Sequence, residues 1–281
     1  MPGILYLVAT PIGNLEDITL RALRILKEVD LVAAEDTRHS RKLFNHYDIR
    51  TPLTSYHQHN ESEKGEQLLV QLHEGKQIAL VSDAGTPAIS DPGYLLVARC
   101  RREGITVNSV PGPSAGVAAL AVSGLPVERF AFEGFLPPRS KGRCETLRTL
   151  AQEKRTLIFY EAPHRLLATL SDLRQELGDE REVVVARELT KLHEEIFCGR
   201  ADAAAEHFSA GRVRGEIVLL VAPARDEAPE EEPIEMLQRL RREGELSRKE
   251  MTRQVAKCFS LPGSDVYRLS LDLDAEEEGA G

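Results

Sequence analysis

Between residues 4 and 122 the chain repeats one pattern: a short apolar run of β-prone residues, a loop, then a segment whose apolar residues keep helical spacing. The runs fall at 4–9, 31–34, 52–56, 78–81 and 105–110, short and continuous as buried strands are. The segments between them carry helix signals. Leu20, Leu23, Leu26 and Val29 follow Asp17 or Thr19 as N-cap, and a short helix covers 40–47. Asn60 with Glu63 reads as a capping box, and Gly75 stands where a C′ residue should. Strands alternating with helices predict a mostly parallel, doubly wound sheet, in which ligands bind beyond the carboxyl ends of the strands.

Four strand ends carry loops of small or functional residues: TPIGN at 10–14, EDTR at 35–38, SDAGTP at 82–87 and PGPSA at 111–115. Four such loops at one sheet edge point to a ligand cleft rather than to turns alone. The third is the most constrained. Gly85 opens backbone angles closed to other residues, Pro87 fixes its own φ, and small residues let a ligand approach the backbone. Asp91 then reads as the N-cap of a helix over 94–102, with Pro92 at its first position.

The Ser123-Gly124-Leu125-Pro126 stretch marks a boundary, giving an N-terminal α/β domain over 1–122 and a second over 123–225. In the second, strands are expected near 130–134, 156–160, 183–186, 195–198 and 216–221, with helices at about 144–152, 164–177 and 202–207. Its loop 137–143 is basic and contains prolines; it is either a solvated connection or a contact to substrate phosphate. An acidic linker, 226–232, precedes a helical unit over 233–273, and an acidic tail runs from 274 to 281. In the helical unit Ser247 and Glu250 form a capping box, Met251, Val255 and Phe259 share a face, and basic residues are dense. Three short helices joined by tight turns have the form of a helix-turn-helix module, and the bases favour nucleic acid.

The net charge of −9 does not exclude such a partner. Residues 226–232 and 272–281 carry five acids each and no base, so without these ten the remainder moves from −9 to +1. No apolar run approaches the ~20 residues of a membrane span. The N-terminus lacks the basic region of a signal peptide, and Cys100, Cys144, Cys198 and Cys258 are scattered like reduced thiols, so a cytoplasmic location is expected. There is no GxGxxG after the first strand, no P-loop and no GxSxG elbow. His57 and His59 alternate on an extended segment and are more often structural than ligands, and no residue cluster has metal-ligand spacing.

The runs LYLVATPIGNLEDIT, AAEDTRHSRKL, SYHQHNE, LVSDAGTPAISDPG, VPGPSA, FYEAPHR and VARELTKLHEE, in this order, resemble the ribosomal RNA small subunit methyltransferase I family of the tetrapyrrole methylase superfamily. The resemblance covers essentially the whole chain. It implies two α/β domains with an S-adenosylmethionine cleft between them, a helix-turn-helix appendage and a homodimer. It also implies 2′-O-methylation of a cytidine ribose in the decoding region of 16S rRNA within the small ribosomal subunit. Carried onto this sequence, the cofactor should meet Thr10, Asp83, Ala84, Gly85, Thr86, Pro87, Ser114 and Ala115, with Tyr160, Arg187 and Gly215 from the second domain. Asp83 has a second candidate role, capping the next turn.

Methyl transfer from a sulfonium requires alignment of the ribose 2′-oxygen and removal of its proton, with no metal needed. Asp36, Glu161 and Lys191 are the catalytic candidates: either carboxylate as base, or Lys191 stabilising the alkoxide or, with a lowered pKa, acting as base. Arg38 and Arg187 are alternatively structural partners of these acids. Two other readings are a methyltransferase of tetrapyrrole precursors or of diphthamide synthesis on the same fold, and a helix-turn-helix regulator sensing a small molecule. TPIGN in place of a Gly-rich turn and the basic helical unit disfavour the first; the charged cleft loops disfavour the second.

Overall fold

A computed structural model describes residues 2–225, 231–244, 246–259 and 261–279, with the side chains of 274–279 left out. Most of the expected acidic linker (226–230) and the side chains of the expected acidic tail therefore lie outside the described residues.

Five strands, β1 (Ile4–Val8), β2 (Leu31–Ala34), β3 (Leu53–Ser55), β4 (Ile78–Val81) and β5 (Thr106–Val110), form an all-parallel sheet in the order β3-β2-β4-β1-β5. Every residue of β4 is buried, the reason its sequence is a continuous apolar run. Helices α1 (Leu20–Glu28) and α2 (Thr37–His46) cover one face through Leu26 and Phe44; α3 (Glu61–His73) and α4 (Tyr94–Arg102) cover the other through Leu72 and Leu96. The chain passes from β1 to β2 on one side of β4, then returns from β4 to β5 beyond β1. Strand order thus reverses between β1 and β4, the position where such sheets leave a crevice at their carboxyl ends.

Helix α5 (Ala115–Val122) follows β5 but packs on a second sheet, Ala119 and Leu120 lying among Ile158, Val184, Val218 and Leu220. That sheet has the order β6-β7-β10-β8-β9, from β6 (Phe130–Phe135), β7 (Thr156–Glu161), β8 (Glu182–Arg187), β9 (Glu195–Arg200) and β10 (Ile217–Val221). It is mixed: β6 and β7 are parallel, whereas β10 runs antiparallel to β7 and β8, and β9 to β8. Its other face is covered by α6 (Ser140–Thr149), α7 (Leu166–Leu177) and α8 (Ala201–Ser209). The two sheets belong to one compact unit, Met1–Ala224.

Residues 225–281 form a second unit of three helices, α9 (Pro233–Glu243), α10 (Arg248–Cys258) and α11 (Gly263–Gly279), closed around Leu237, Leu240, Val255 and Val266. The Ser247–Glu250 capping box is formed, and Glu232 with Glu235 makes a second one ahead of Pro233. Arg239 is held by Glu231 at 2.7 Å and Glu243 at 3.1 Å, so part of this unit's basic surface is internally neutralised.

Three local expectations are corrected. Asn60 makes no side-chain cap on α3; its Oδ1 instead accepts from His57 N–H at 2.8 Å, closing the turn before the helix. The helix expected at 40–47 starts at Thr37 because Asp36 caps it, accepting from Arg38 N–H at 2.8 Å. Gly93, not Asp91, is the N-cap of α4, and its N–H is bound by Glu61 at 3.0 Å. Asp91 is thereby left for another role.

Candidate active-site cleft

The loops after β1 and β4 are pinned to each other. Thr10 N–H donates to Gly85 O at 2.9 Å and Gly85 N–H returns to Thr10 O at 3.0 Å. This bridge needs Gly85 at φ +78°, where an L side chain is strained. The Thr10 hydroxyl donates to Ser82 O at 3.2 Å, and the Thr86 hydroxyl to Pro113 O at 3.4 Å, so the TPIGN, SDAGTP and PGPSA loops form one rim. Across from it Asn14 N–H donates to the Thr190 hydroxyl at 3.0 Å, joining this rim to the loop after β8.

Between the rim and the second sheet lies a cleft of about 310 Å³. Its near wall is Ile12, Ala84, Gly85, Thr86, Ile89, Ser90, Asp91, Ser114 and Ala115; its far wall includes Phe135, Tyr160, Glu161, Leu189, Gly215, Glu216 and Val218. The volume is within the range of small-molecule sites, roughly 300–1,000 Å³, and the lining is mostly apolar with a few polar groups, as such sites are. Apolar faces from Ile12, Ile89, Phe135 and Leu189 suit an aromatic base. The Ala84–Thr86 backbone and the Ser114 hydroxyl suit a polar chain with hydroxyls and a carboxylate. A nucleoside carrying an amino-acid tail fits this donor set.

Of the residues expected to meet the cofactor, Ala84, Gly85, Thr86, Ser114, Ala115, Tyr160 and Gly215 line the cleft. Thr10, Asp83, Pro87 and Arg187 do not. Thr10 builds the bridge just described, and Asp83 Oδ1 accepts from Asp36 N–H at 3.1 Å, tying the loop after β2 to the loop after β4. Arg187 pairs with Glu195 at 2.6 Å, and Glu195 also meets His207 at 2.6 Å, so this arginine belongs to the β8–β9 surface.

The three catalytic candidates are engaged elsewhere. Glu161 lines the cleft, but its side chain is fully buried: it accepts from Ala162 N–H at 2.7 Å, Thr169 hydroxyl at 2.6 Å and Arg165 at 2.6 Å. Asp36 is an N-cap that also holds the Arg38 guanidinium at 2.7 Å, and that guanidinium keeps its carboxyl far below the usual aspartate range. Lys191 donates to Glu188 at 2.7 Å and Glu216 at 3.0 Å. Burial pulls Lys191 down, but these carboxylates outweigh it and the net direction is up, opposite to the lowered pKa a lysine base requires. The stretch expected as a basic loop is helical from Ser140 on, and Arg143, in α6, is buried and paired with Asp172 at 2.6 Å, a structural role.

Sequence reasoning overlooked Asp91. It stands in the cleft wall, and burial, reinforced by Glu35 and Asp83, pushes its carboxyl up to about 6 despite a hydrogen bond with Ser82. Glu35 is likewise raised by burial and by Asp83. Within SDPG, Asp91 has the pattern of a helix cap, and that concealed it. Tyr160 is raised by burial, its ring edge-on to Phe132 and Phe135 at 4.9 and 5.6 Å.

The backbone around the cleft is unusual. Among the described residues five non-glycines have positive φ, and four of them, Ala88, Ser90, Glu188 and Thr190, lie in the loops flanking it. Gly215, at φ +87°, lies where glycine is favoured, and a Cβ there would stand 2.2 Å from the Glu188 carboxylate carbon, so the Glu188 side chain would have to move.

Comparison with known proteins agrees with this geometry. The tetrapyrrole (corrin/porphyrin) methylase family matches residues 4–205. A Synechocystis protein named ribosomal RNA small subunit methyltransferase I is 51% identical over 280 residues, covering 98% of this chain and 99% of its own. A Thermotoga maritima protein of the same name is 53% identical over 220 residues, covering 78% of this chain and 98% of its own. Among solved structures, a cobalt precorrin-4 methyltransferase superposes with a TM-score of 0.61 at 19% identity, covering 78% of this chain and 94% of its own. A diphthine synthase superposes at 0.60 and 14%, covering 78% and 90%.

Proposed function

Because the chain belongs to the tetrapyrrole methylase family, and within it to the ribosomal RNA small subunit methyltransferase I proteins, we propose that it is an S-adenosylmethionine-dependent methyltransferase of 16S rRNA, acting on a cytidine ribose 2′-oxygen. The observation that carries this reading is the cleft itself, at the switch point of a parallel sheet, with apolar walls and an acid poised in one of them.

Ala84, Gly85 and Thr86 with Ser114 and Ala115 hold the cofactor from one side, Tyr160 and Gly215 from the other. Thr10, Asp83 and Pro87 set the loops that do so. When bound, the cofactor would supply a methyl group on a sulfonium, a carbon open to in-line attack with a neutral thioether as leaving group. The walls hold the attacking oxygen in line, and orientation of this kind is worth up to ~7–11 kcal/mol. The Asp91 carboxylate accepts the ribose 2′-hydroxyl proton. At about 6 it is ionised at neutral pH yet basic enough to take a proton, the balance a general base requires. Lys191, fixed by Glu188 and Glu216, keeps its charge at the rim.

The site works in a homodimer in the cytoplasm. Support for a second copy is the apolar surface of Val117 and Val122 on α5, with Phe130 and Phe132 on edge strand β6, all at least 37% exposed. Among the described residues no helix is long and apolar enough to cross a membrane.

The test is transfer of labelled methyl from S-adenosylmethionine to purified small subunits, run beside naked 16S rRNA and tetrapyrrole precursors. Label is expected on the subunits, in a cytidine whose 3′ phosphodiester resists alkali because its 2′-oxygen is blocked. Label on a base, or on a tetrapyrrole alone, would overturn the assignment.

A further inference from the structure

Beside the cleft lies a second, open groove of about 840 Å³, and the two share Pro163 and Gly215 as a common wall. We infer that this groove, bounded by His164, Leu167, Arg212 and Arg214, holds the phosphodiester backbone of the RNA next to the nucleotide being methylated. The inference rests on the reading of the cleft as a methyl-transfer site for RNA and says where the polymer runs.

Charge is the first argument. His164, Arg212 and Arg214 line the groove and no acid does. Elsewhere in the same half of the molecule several arginines hold an acid: Arg143 holds Asp172, Arg155 Glu153, Arg165 Glu161, Arg187 Glu195 and Arg200 Asp202. Arg212 and Arg214, both exposed, form no ion pair or side-chain hydrogen bond among the described residues. Two unpaired guanidiniums lining one groove favour an anion there, and phosphate is the anion their planar donors fit best.

Backbone geometry is the second. The groove runs over the first turn of α7, whose N-cap is Arg165 and which has no side-chain cap, so its first N–H groups add positive potential where Leu167 lines the groove. Position is the third. Because Gly215 lines both spaces, a nucleotide with its ribose in the cleft has its flanking phosphates at this groove. Phosphate contacts of this kind set register without reading sequence.

The test is the full-length Arg212→Gln/Arg214→Gln protein. Affinity for S-adenosylmethionine, by calorimetry, should stay within about twofold, since neither side chain lines the cleft. Affinity for small subunits should fall roughly tenfold or more near ~0.1 M salt, the scale of losing charged hydrogen bonds. The slope of log affinity against log salt should shrink by about 1.4, two contacts at ~0.7 each for single-stranded RNA. The effect on methylation should be in KM, not kcat, and Arg212→Lys/Arg214→Lys should recover most of it. Unchanged subunit affinity and salt slope in the double variant overturns the inference. So does a salt-independent loss that lysines do not rescue, which would mean an acidic protein segment or packing instead. If the double variant melts early, Arg214→Gln alone is read the same way, with a slope change of about half expected. A wild-type protein that never labels subunits strikes the proposed function; normal wild-type labelling with an unaffected variant strikes the groove alone.

Discussion

Replacing Asp91 with Asn should make the protein more stable and nearly inactive. The Asp91 carboxyl, at about 6 against an ordinary 3.8, sits about two pH units high. Each unit is worth ~1.4 kcal/mol, so ionisation of this side chain in the fold costs about 3 kcal/mol before any allowance for solvent. The residue is half-buried, and screening reduces the figure to ~1–2 kcal/mol. The sign is set by a folded pKa above the unfolded one. Below pH ~4 both states carry the proton and nothing is lost; between ~4 and ~6 the unfolded chain releases its proton first, and stability falls; above ~6 the penalty is complete. An amide keeps the shape and an acceptor for Ser82 without the charge. Asp91→Asn should therefore melt about 2–8 °C higher at pH 7.5, at ~2–4 °C per kcal/mol for a unit of this size, and match the wild type near pH 4.

Activity should move the other way. Methyl transfer by the wild type should rise through pH ~6 and level off, as a base that must be ionised dictates, and Asp91→Asn should lower kcat by ~10²–10⁴ with that inflection gone. Calorimetry and scanning fluorimetry across pH, with single-turnover methylation on subunits, measure all of this. A variant less stable than wild type, or one retaining the inflection near 6, refutes the role. A large loss of cofactor affinity with kcat intact would move Asp91 from proton acceptor to cofactor ligand.

Glu161→Ala should behave oppositely, since it strands Arg165 in a buried site; a loss of ~3–5 kcal/mol is expected, with the folded fraction still active. Full inactivity in a protein of wild-type melting temperature would restore Glu161 as a base. Gly215→Ala should displace the Glu188 carboxylate from Lys191 and force alanine into the left-handed region, together ~2–4 kcal/mol, and cofactor affinity should weaken because Gly215 lines the cleft. Unchanged melting and affinity would show that Glu188 can move freely.

The first sheet was legible because its central strands β2 and β4 are buried almost throughout, so short continuous apolar runs between helical segments read as strands. The mixed order of the second was not, since antiparallel β10 and parallel β6 both read simply as β-prone segments. Loops that line the cleft through backbone and small residues, 84–86 and 114–115, were found for the same reason they work there: few other residues fit. The charged candidates fared differently. A carboxylate in a motif looks alike whether it faces a substrate or an arginine four residues on, as Glu161 faces Arg165. Partnering is a property of three-dimensional proximity, and composition carries no trace of it.

That distinction explains why Asp91 stands out. Many acids in the two-sheet unit are matched: Glu153, Glu161, Asp172, Glu188 and Glu195 each hold a cation. Glu35 and Asp91 are instead raised by burial and by acidic neighbours, an arrangement that stability alone would remove. The backbone follows the same division. Asp48, the left-handed residue away from the cleft, is a type that tolerates that conformation, in the turn after α2 beside Arg50. Ala88, Ser90, Glu188 and Thr190 have no such tolerance, and at ~1–3 kcal/mol each they persist only because the surrounding loops over-determine them. Unfavourable charge at Asp91 and unfavourable backbone at Ala88 and Ser90 coincide in the near wall of the cleft, while Glu188 and Thr190 belong to the loop after β8. Two independent energetic penalties retained together at a cleft indicate a group held where its chemistry, not its stability, decides its position.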